Sequence, residues 1–168
     1  KPASHSLCVG ICGEDHYRSV YELNRLVREE DLSEPLSKFV SACLRRLKER
    51  DWIVVSYADT GANHHGFIYQ ACNFLYTGVT KGRTDRYVKD GHSRHYDKNA
   101  KQEFRQVRSP KHRYVYFCTS KKSLKREWQR SLNYPVLDYP KGDNITYELG
   151  TIMKKTIVSV ETGEIHYE

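Results

Sequence analysis

Ser56, Asp59, His64, His65 and Tyr69 fall within one short stretch of the chain, S-Y-A-D-T-G-A-N-H-H-G-F-I-Y. A carboxylate beside imidazoles can position a nucleophile or move a proton near neutral pH. The bland alternative is that Asp59 caps a turn, the histidines are solvated and Tyr69 covers a sheet. Cys8, Cys12 and His16, at four-residue intervals, have the chemistry of metal ligands. Leu7, Val9 and Ile11 alternate with them, however, and that is the pattern of a strand rather than of a metal site. The five cysteines are odd in number and scattered, which suits reduced thiols rather than a disulfide framework.

The elements that must position these groups can be read from the flanking pattern. Trp52-Ile53-Val54-Val55 is an apolar, β-branched run suited to a strand buried on both faces. Asp59 to Asn63 has turn chemistry, and a helix is expected from Gly66 to a glycine stop at Gly78. Phe67, Ile68, Ala71, Cys72, Phe74 and Leu75 would form its apolar arc, with Tyr69, Gln70, Asn73, Tyr76 and Thr77 opposite. The unit is strand, loop, helix, and in open α/β sheets ligands collect at such mouths.

Upstream, Ser6–Cys12 is expected as a strand, Gly13–Asp15 as a turn and Ser19–Val27 as a second strand. Glu22, Asn24 and Arg25 would make that second strand face a cleft or lie at a wet edge. Ser33 is expected to cap a helix, with Pro35 in its first turn, that runs to about Arg50. Its start, with Ser37 and Lys38, could attract phosphate, although the glycines of a phosphate loop are absent. Downstream come a strand at Tyr114–Cys118, a basic helix at Lys121–Leu132, an extended Tyr134–Pro140 and a closing hairpin within 152–168. This order predicts an α/β (α+β) single domain over residues 1–168, with one central mixed sheet flanked by helices.

Charge is unevenly spread. The net charge of +7 comes from sixteen Lys or Arg against five Asp or Glu between Gly78 and Arg130, so this segment carries +11 and the rest −4. Tyr87, His92, His95, Tyr96, Phe104, His112, Tyr114 and Tyr116 interleave with the cations. Cations on phosphates and rings on bases point to nucleic acid; a solvated loop is the alternative. No apolar run approaches the ~20 residues of a membrane helix. No secretory leader is evident, so a soluble, intracellular protein is expected.

Y-E-L-N-R-L at Tyr21–Leu26, L-S-K-F at Leu36–Phe39 and V-S-Y-A-D at Val55–Asp59 belong to a wider pattern. With H-x-G-x-x-Y-Q-A at His64–Ala71, N-F-L-Y-T-G at Asn73–Gly78 and H-S-R-H at His92–His95, they resemble the Mom-type DNA modification proteins of bacteriophages. The resemblance runs from about Leu7 to Gly142. It implies a fold like the GCN5-related N-acetyltransferases and conversion of the exocyclic amine of adenine in DNA to a methylcarbamoyl form. The implied purpose is protection from host restriction enzymes, in the cytoplasm of an infected bacterial cell.

The acetyltransferase fold has further elements before the one at Ser6–Cys12, so the chain is expected to be N-terminally incomplete or unusually short. The glycine-rich pyrophosphate loop is also missing between Val27 and Leu36. The donor is expected to be acetyl-CoA or another acyl or glycyl donor, with metal requirement unknown and double-stranded DNA as partner.

For the reaction, adenine must be extruded from the duplex and its amine held. Ser56, Asp59, His65 and Tyr69 are the expected catalytic group: Asp59 orients the amine or accepts its proton, His65 is the alternate base, and Tyr69 is a hydrogen-bond donor. Asn24, Arg25, Ser37 and Lys38 would line the donor side. Arg83, Arg86, Arg94, His95, Lys111 and Arg113 would hold DNA, with Tyr96 or Tyr114 stacking. The alternatives are an acyl-CoA-dependent N-acetyltransferase of a protein or small amine, and a non-catalytic DNA-binding relative.

Overall fold

The computed structural model of the chain describes residues 4–27, 33–89, 99, 101–143, 145, 151 and 154–168. Arg94, His95 and Tyr96 lie outside them. The elements are α1 (His5–Cys12), β1 (Val20–Glu22), α2 (Leu36–Leu47), β2 (Trp52–Asp59), α3 (Phe67–Ala71) and β3 (Leu75–Val79), followed by β4 (Arg83–Arg86), β5 (Phe104–Arg108), β6 (Lys111–Cys118), α4 (Lys122–Arg130), β7 (Thr156–Ser159) and β8 (Ile165–Tyr167). No helix among the described residues is long and apolar enough to cross a membrane.

The strands form two sheets, not the one expected. The first is mixed, in the order β1-β2-β6-β3, and the second runs β4-β5-β7-β8 with antiparallel neighbours. β2 pairs antiparallel with β6 along all its residues, from Trp52 opposite Cys118 to Asp59 opposite Lys111. β1 is parallel to β2, with Val20 opposite Ile53. Helix α2 makes the crossover that a parallel pair requires.

Alternation along β2 and β6 sends side chains to two cores. Val55, Val115 and Phe117 meet Cys8, Ile11 and Cys12 of α1 and Trp128 of α4. Val54, Ala58, Tyr114 and Cys118 meet Val40 and Leu44 of α2, together with Cys72 and Phe74 just past α3. The mixed α and β architecture with helices on both faces of a mixed sheet is thus the expected class.

Several local expectations change. The Ser6–Cys12 segment is a helix: Ser4 caps it by accepting from the Leu7 amide at 3.3 Å, and its buried residues Cys8, Ile11 and Cys12 follow i, i+3, i+4 spacing. A short apolar run fits both periods, and the cap decides between them. His16 instead lies 3.6 Å from Glu127, and no group of His, Cys, Asp or Glu among the described residues could hold a metal. The expected second strand ends at Glu22, and Pro35 rather than Ser33 is the N-cap of α2.

The expected helix from Gly66 to Gly78 stops after Ala71. Asn73 adopts a left-handed conformation (φ 59°), and the residues beyond it become β3 against β6. Gly78 (φ 89°) sits where the β3–β6 register shifts, so its left-handed conformation serves a bulge and not a helix end. Tyr76 and Thr77, assigned to a polar helix face, are buried strand residues.

Gly66 has φ 74°, and a Cβ there would come within 2.5 Å of Cε2 of the fully buried Tyr114. Neither the backbone nor the ring can yield easily. Gly66→Ala is expected to cost about 1–3 kcal/mol, the usual range for overpacking with added backbone strain. Chemical denaturation should show a lowered midpoint with an unchanged m-value.

Candidate functional site

β1 ends at Glu22 opposite Val55 in the middle of β2, and the Leu23 amide just beyond donates to the Val55 carbonyl at 2.9 Å. Ser56, 0 % exposed, donates its hydroxyl to the Leu23 carbonyl at 2.7 Å. Ser56 also acts on the Tyr69 phenol, favouring its ionised form. Burial raises the Tyr69 pKa first, Ser56 opposes this, and the negative charge of Glu22 adds to the rise, keeping the phenol protonated at neutral pH.

Tyr69 therefore does not lie on a solvent face of its helix. Its ring packs 5.3 Å from Tyr114 and 5.5 Å from Phe74. From there a layer of rings continues across the sheet. Tyr114 lies 5.3 Å from Tyr76, the Tyr76 hydroxyl is 2.9 Å from His112 Nδ1, and the His112 ring is 5.7 Å from that of His65. The His65 carbonyl accepts from the Tyr114 hydroxyl and from Gln70 Nε2 at 2.9 Å, which fixes the backbone beside the imidazole. His65 Nδ1 is buried with no hydrogen-bond partner among the described residues.

Burial, and then the neighbouring charge of His65, hold the His112 pKa below its ordinary value. Tyr114, expected to stack on a base, is instead fully buried and is pushed up to about 12 by burial.

Residues 138–142 border a recess of about 580 Å³, together with Phe67 and Gln70 of α3. This strap is pinned by Tyr139, whose hydroxyl donates to the Phe74 carbonyl at 2.7 Å. Asn63 Nδ2 donates to the Asp143 carbonyl at 3.0 Å. Gly142 lies so close to the His65 imidazole that a Cβ there would overlap it. The recess has room for a small group beside Gln70, and the His65 imidazole lies behind its Gly142 wall.

Asp59 belongs to the opposite face of the sheet by strand parity. Its carboxylate accepts from the Ser109 hydroxyl, from the Gly61 amide at 2.9 Å and from Lys111 Nζ at 3.0 Å. Burial tends to raise its pKa, but the hydrogen bonds from Ser109 and Lys111 outweigh that and leave it lowered. The geometry thus brings together Ser56, Tyr69 and, through the ring layer, His65, and it sets Asp59 apart as an ionised corner post.

The expected cofactor and DNA residues also scatter. Asn24 and Arg25 follow β1 in an exposed segment. The Ser37 carbonyl accepts from the Cys72 thiol at 3.3 Å, and Lys38 pairs with Glu34 at 2.7 Å. Lys111 is engaged by Asp59, while Arg83 is exposed on β4 and Arg86 is partly buried. Arg113 is a correction to the expected phosphate contacts. It is 8 % exposed, donates to Thr77 Oγ1 at 2.9 Å and to the Thr77 carbonyl at 2.7 Å, and stacks 3.2 Å from the Tyr134 ring centroid.

Tyr76, Gln70 and the facing role of His112 were missed from the sequence. Their signal was the alternation His112, Tyr114, Tyr116 along one face of β6, which only a known strand boundary makes legible.

Because the folded Asp59 pKa is lowered, its contribution to stability is complete above the unfolded carboxylate value, near ~3.9. It is lost as pH falls through the lower folded value. Asp59→Asn should therefore be less stable than wild type at pH 7. The difference should shrink steadily below about pH 4, as read by denaturant midpoints across that range.

No curated protein matches the chain. The model of the Mom protein family matches residues 3–141, most of the chain, and the protein belongs to that family.

Proposed function

We propose that the protein is a DNA-modifying enzyme that converts the exocyclic amine of adenine to its methylcarbamoyl form and thereby shields phage DNA from restriction. The observation that carries this proposal is the family match. It spans the end of the β1–β2 pair, the hydroxyl and ring layer on one sheet face, and the arginine-bearing strands β4 and β5.

An adenine amine is weakly nucleophilic and paired in a duplex, so the base must be extruded and its amine oriented. The Tyr69 oxygen accepts an N–H of the amine. Its ring is held between Tyr114 and Phe74. His65 is the general base, its imidazole beside that of His112, whose pKa burial holds low. Lone-pair density on the amine nitrogen then attacks the activated carbon of the donor, the bond from that carbon to the donor's leaving group breaks with its electron pair going to that group, and the proton shed by the nitrogen passes to His65. Asp59 acts as a positioning residue, fixing the end of β2 through Ser109 and Lys111.

The fit to a coenzyme A donor is poor at the start of α2. Lys38 is spent on Glu34, whose carboxylate opposes an approaching pyrophosphate, and no side chain caps the helix. No step is routed through that group.

Nucleosides from plasmid DNA of a bacterium expressing the chain should contain a heavier deoxyadenosine by mass spectrometry. Tyr69→Phe and His65→Gln should each lower its yield by about 10²-fold, the scale of a lost acid–base or orienting group. A folded Asp59→Asn variant should keep the reaction. Unmodified DNA from a wild-type protein that binds DNA would overturn the proposal in favour of a binding module.

A further inference from the structure

β3 and β6 do not end at the first sheet. Val79 opposite His112 and Arg83 opposite Arg108 share one register, so β3–β4 and β5–β6 form a single antiparallel ribbon that passes from one sheet into the other. The ribbon is locked at its base. Thr60 donates from its amide at 3.2 Å and its hydroxyl at 2.7 Å to the Pro110 carbonyl, and Ser109 donates to Asp59.

Two rungs of this ribbon place arginine directly opposite arginine: Arg83 with Arg108, and Arg86 with Arg105. Like charges across a non-covalent rung are destabilising. One carboxylate serves the first pair, Asp85, at 2.9 Å from Arg108 and 3.6 Å from Arg83. Arg105 is turned onto Thr84, with bonds to its hydroxyl at 2.8 Å and its carbonyl at 3.0 Å. The rungs are three residues apart, so they project from opposite faces of the ribbon. β4 is the edge of its sheet, and β7 pairs with β5 only from Phe104 to Gln106, so the Arg83–Arg108 rung lies where the ribbon is two strands wide.

A flat contact with a polyanion calls for cations on one face. Cations on both faces of an edge fit a trench with anionic walls on either side. We infer that the β4–β5 ribbon inserts edge-on into the major groove of duplex DNA, Arg83 and Arg108 reaching one phosphate wall and Arg86 and Arg105 the other. A two-stranded ribbon suits a groove about 12 Å wide. The inference rests on the proposed DNA-modifying function and adds how the duplex is gripped. Because the base of the ribbon is bonded to the end of β2, the groove is registered against the layer that holds Tyr69 and His65.

The test is fluorescence-anisotropy titration of the full chain with a labelled duplex across a salt series. R83S/R108S should weaken binding by 10-fold or more and flatten the log–log salt slope by about 2, one unit per lost cation. R83K/R108K should restore the slope, which a misfolded ribbon would not allow. R45S/R46S, with the same charge change on the exposed face of α2, should leave the slope unchanged. A duplex bearing glucosylated 5-hydroxymethylcytosine, which fills the major groove, should bind at least 10-fold more weakly, while netropsin in the minor groove should not compete. If R83S/R108S behaves like R45S/R46S, or if netropsin competes and glucosylation does not matter, the ribbon assignment falls and the modifying function stands. A wild-type protein that ignores duplex DNA even at low salt would remove both.

Discussion

The antiparallel ladder between β2 and β6 is the constraint on which the rest of the structure depends. Its register runs unbroken from Trp52–Cys118 to Asp59–Lys111, and the sheet period of two then leaves no freedom about faces. Even-numbered residues of both strands look toward α2 and α3, odd-numbered ones toward α1 and α4. A slip of one residue would exchange the two sets, exposing Val115 and Phe117 to the tyrosine layer and turning His112 and Tyr114 toward Trp128. The ladder therefore decides both where the core is and which polar groups can meet.

On the α3 face the polar groups form a layer rather than scattered exceptions. Ser56, Tyr114, Tyr76 and His112 each satisfy a neighbour, as a low-dielectric interior demands. His65 Nδ1 is the orphan in this network. An unpaired buried donor or acceptor costs on the order of 1–3 kcal/mol. On the other face Arg113 shows the opposite economy: its guanidinium is fully committed to Thr77 and Tyr134, and it welds β3, β6 and the segment after α4 together.

The second sheet extends the first without a new folding principle. The β3–β6 pair keeps its register through the bend and emerges as a cationic ribbon, so the ring layer and the ribbon are mechanically one object. The hydrogen bonds of Ser109, Lys111 and Thr60 around the end of β2 hold that bend. The Asp59 carboxylate thereby has a mechanical task.

Much of this was legible in the sequence. The β-branched run at Trp52–Val55, the amphipathic pattern of α2 and the closing hairpin are local signals, and each became the expected kind of element. The motif that ends in Tyr-Gln-Ala named the family, because it needs only residue order. What the sequence left open was everything that depends on a partner strand. Ser6–Cys12 fits a helix or a strand until Ser4 caps it, and Phe74–Gly78 continues a helix until β6 offers hydrogen bonds. Asp59 and Tyr69 are ten residues apart in the chain and fall on opposite faces of the sheet, while His65 and His112 are far apart and meet. Faces are set by register, register is a property of two strands at once, and only the tertiary structure holds both.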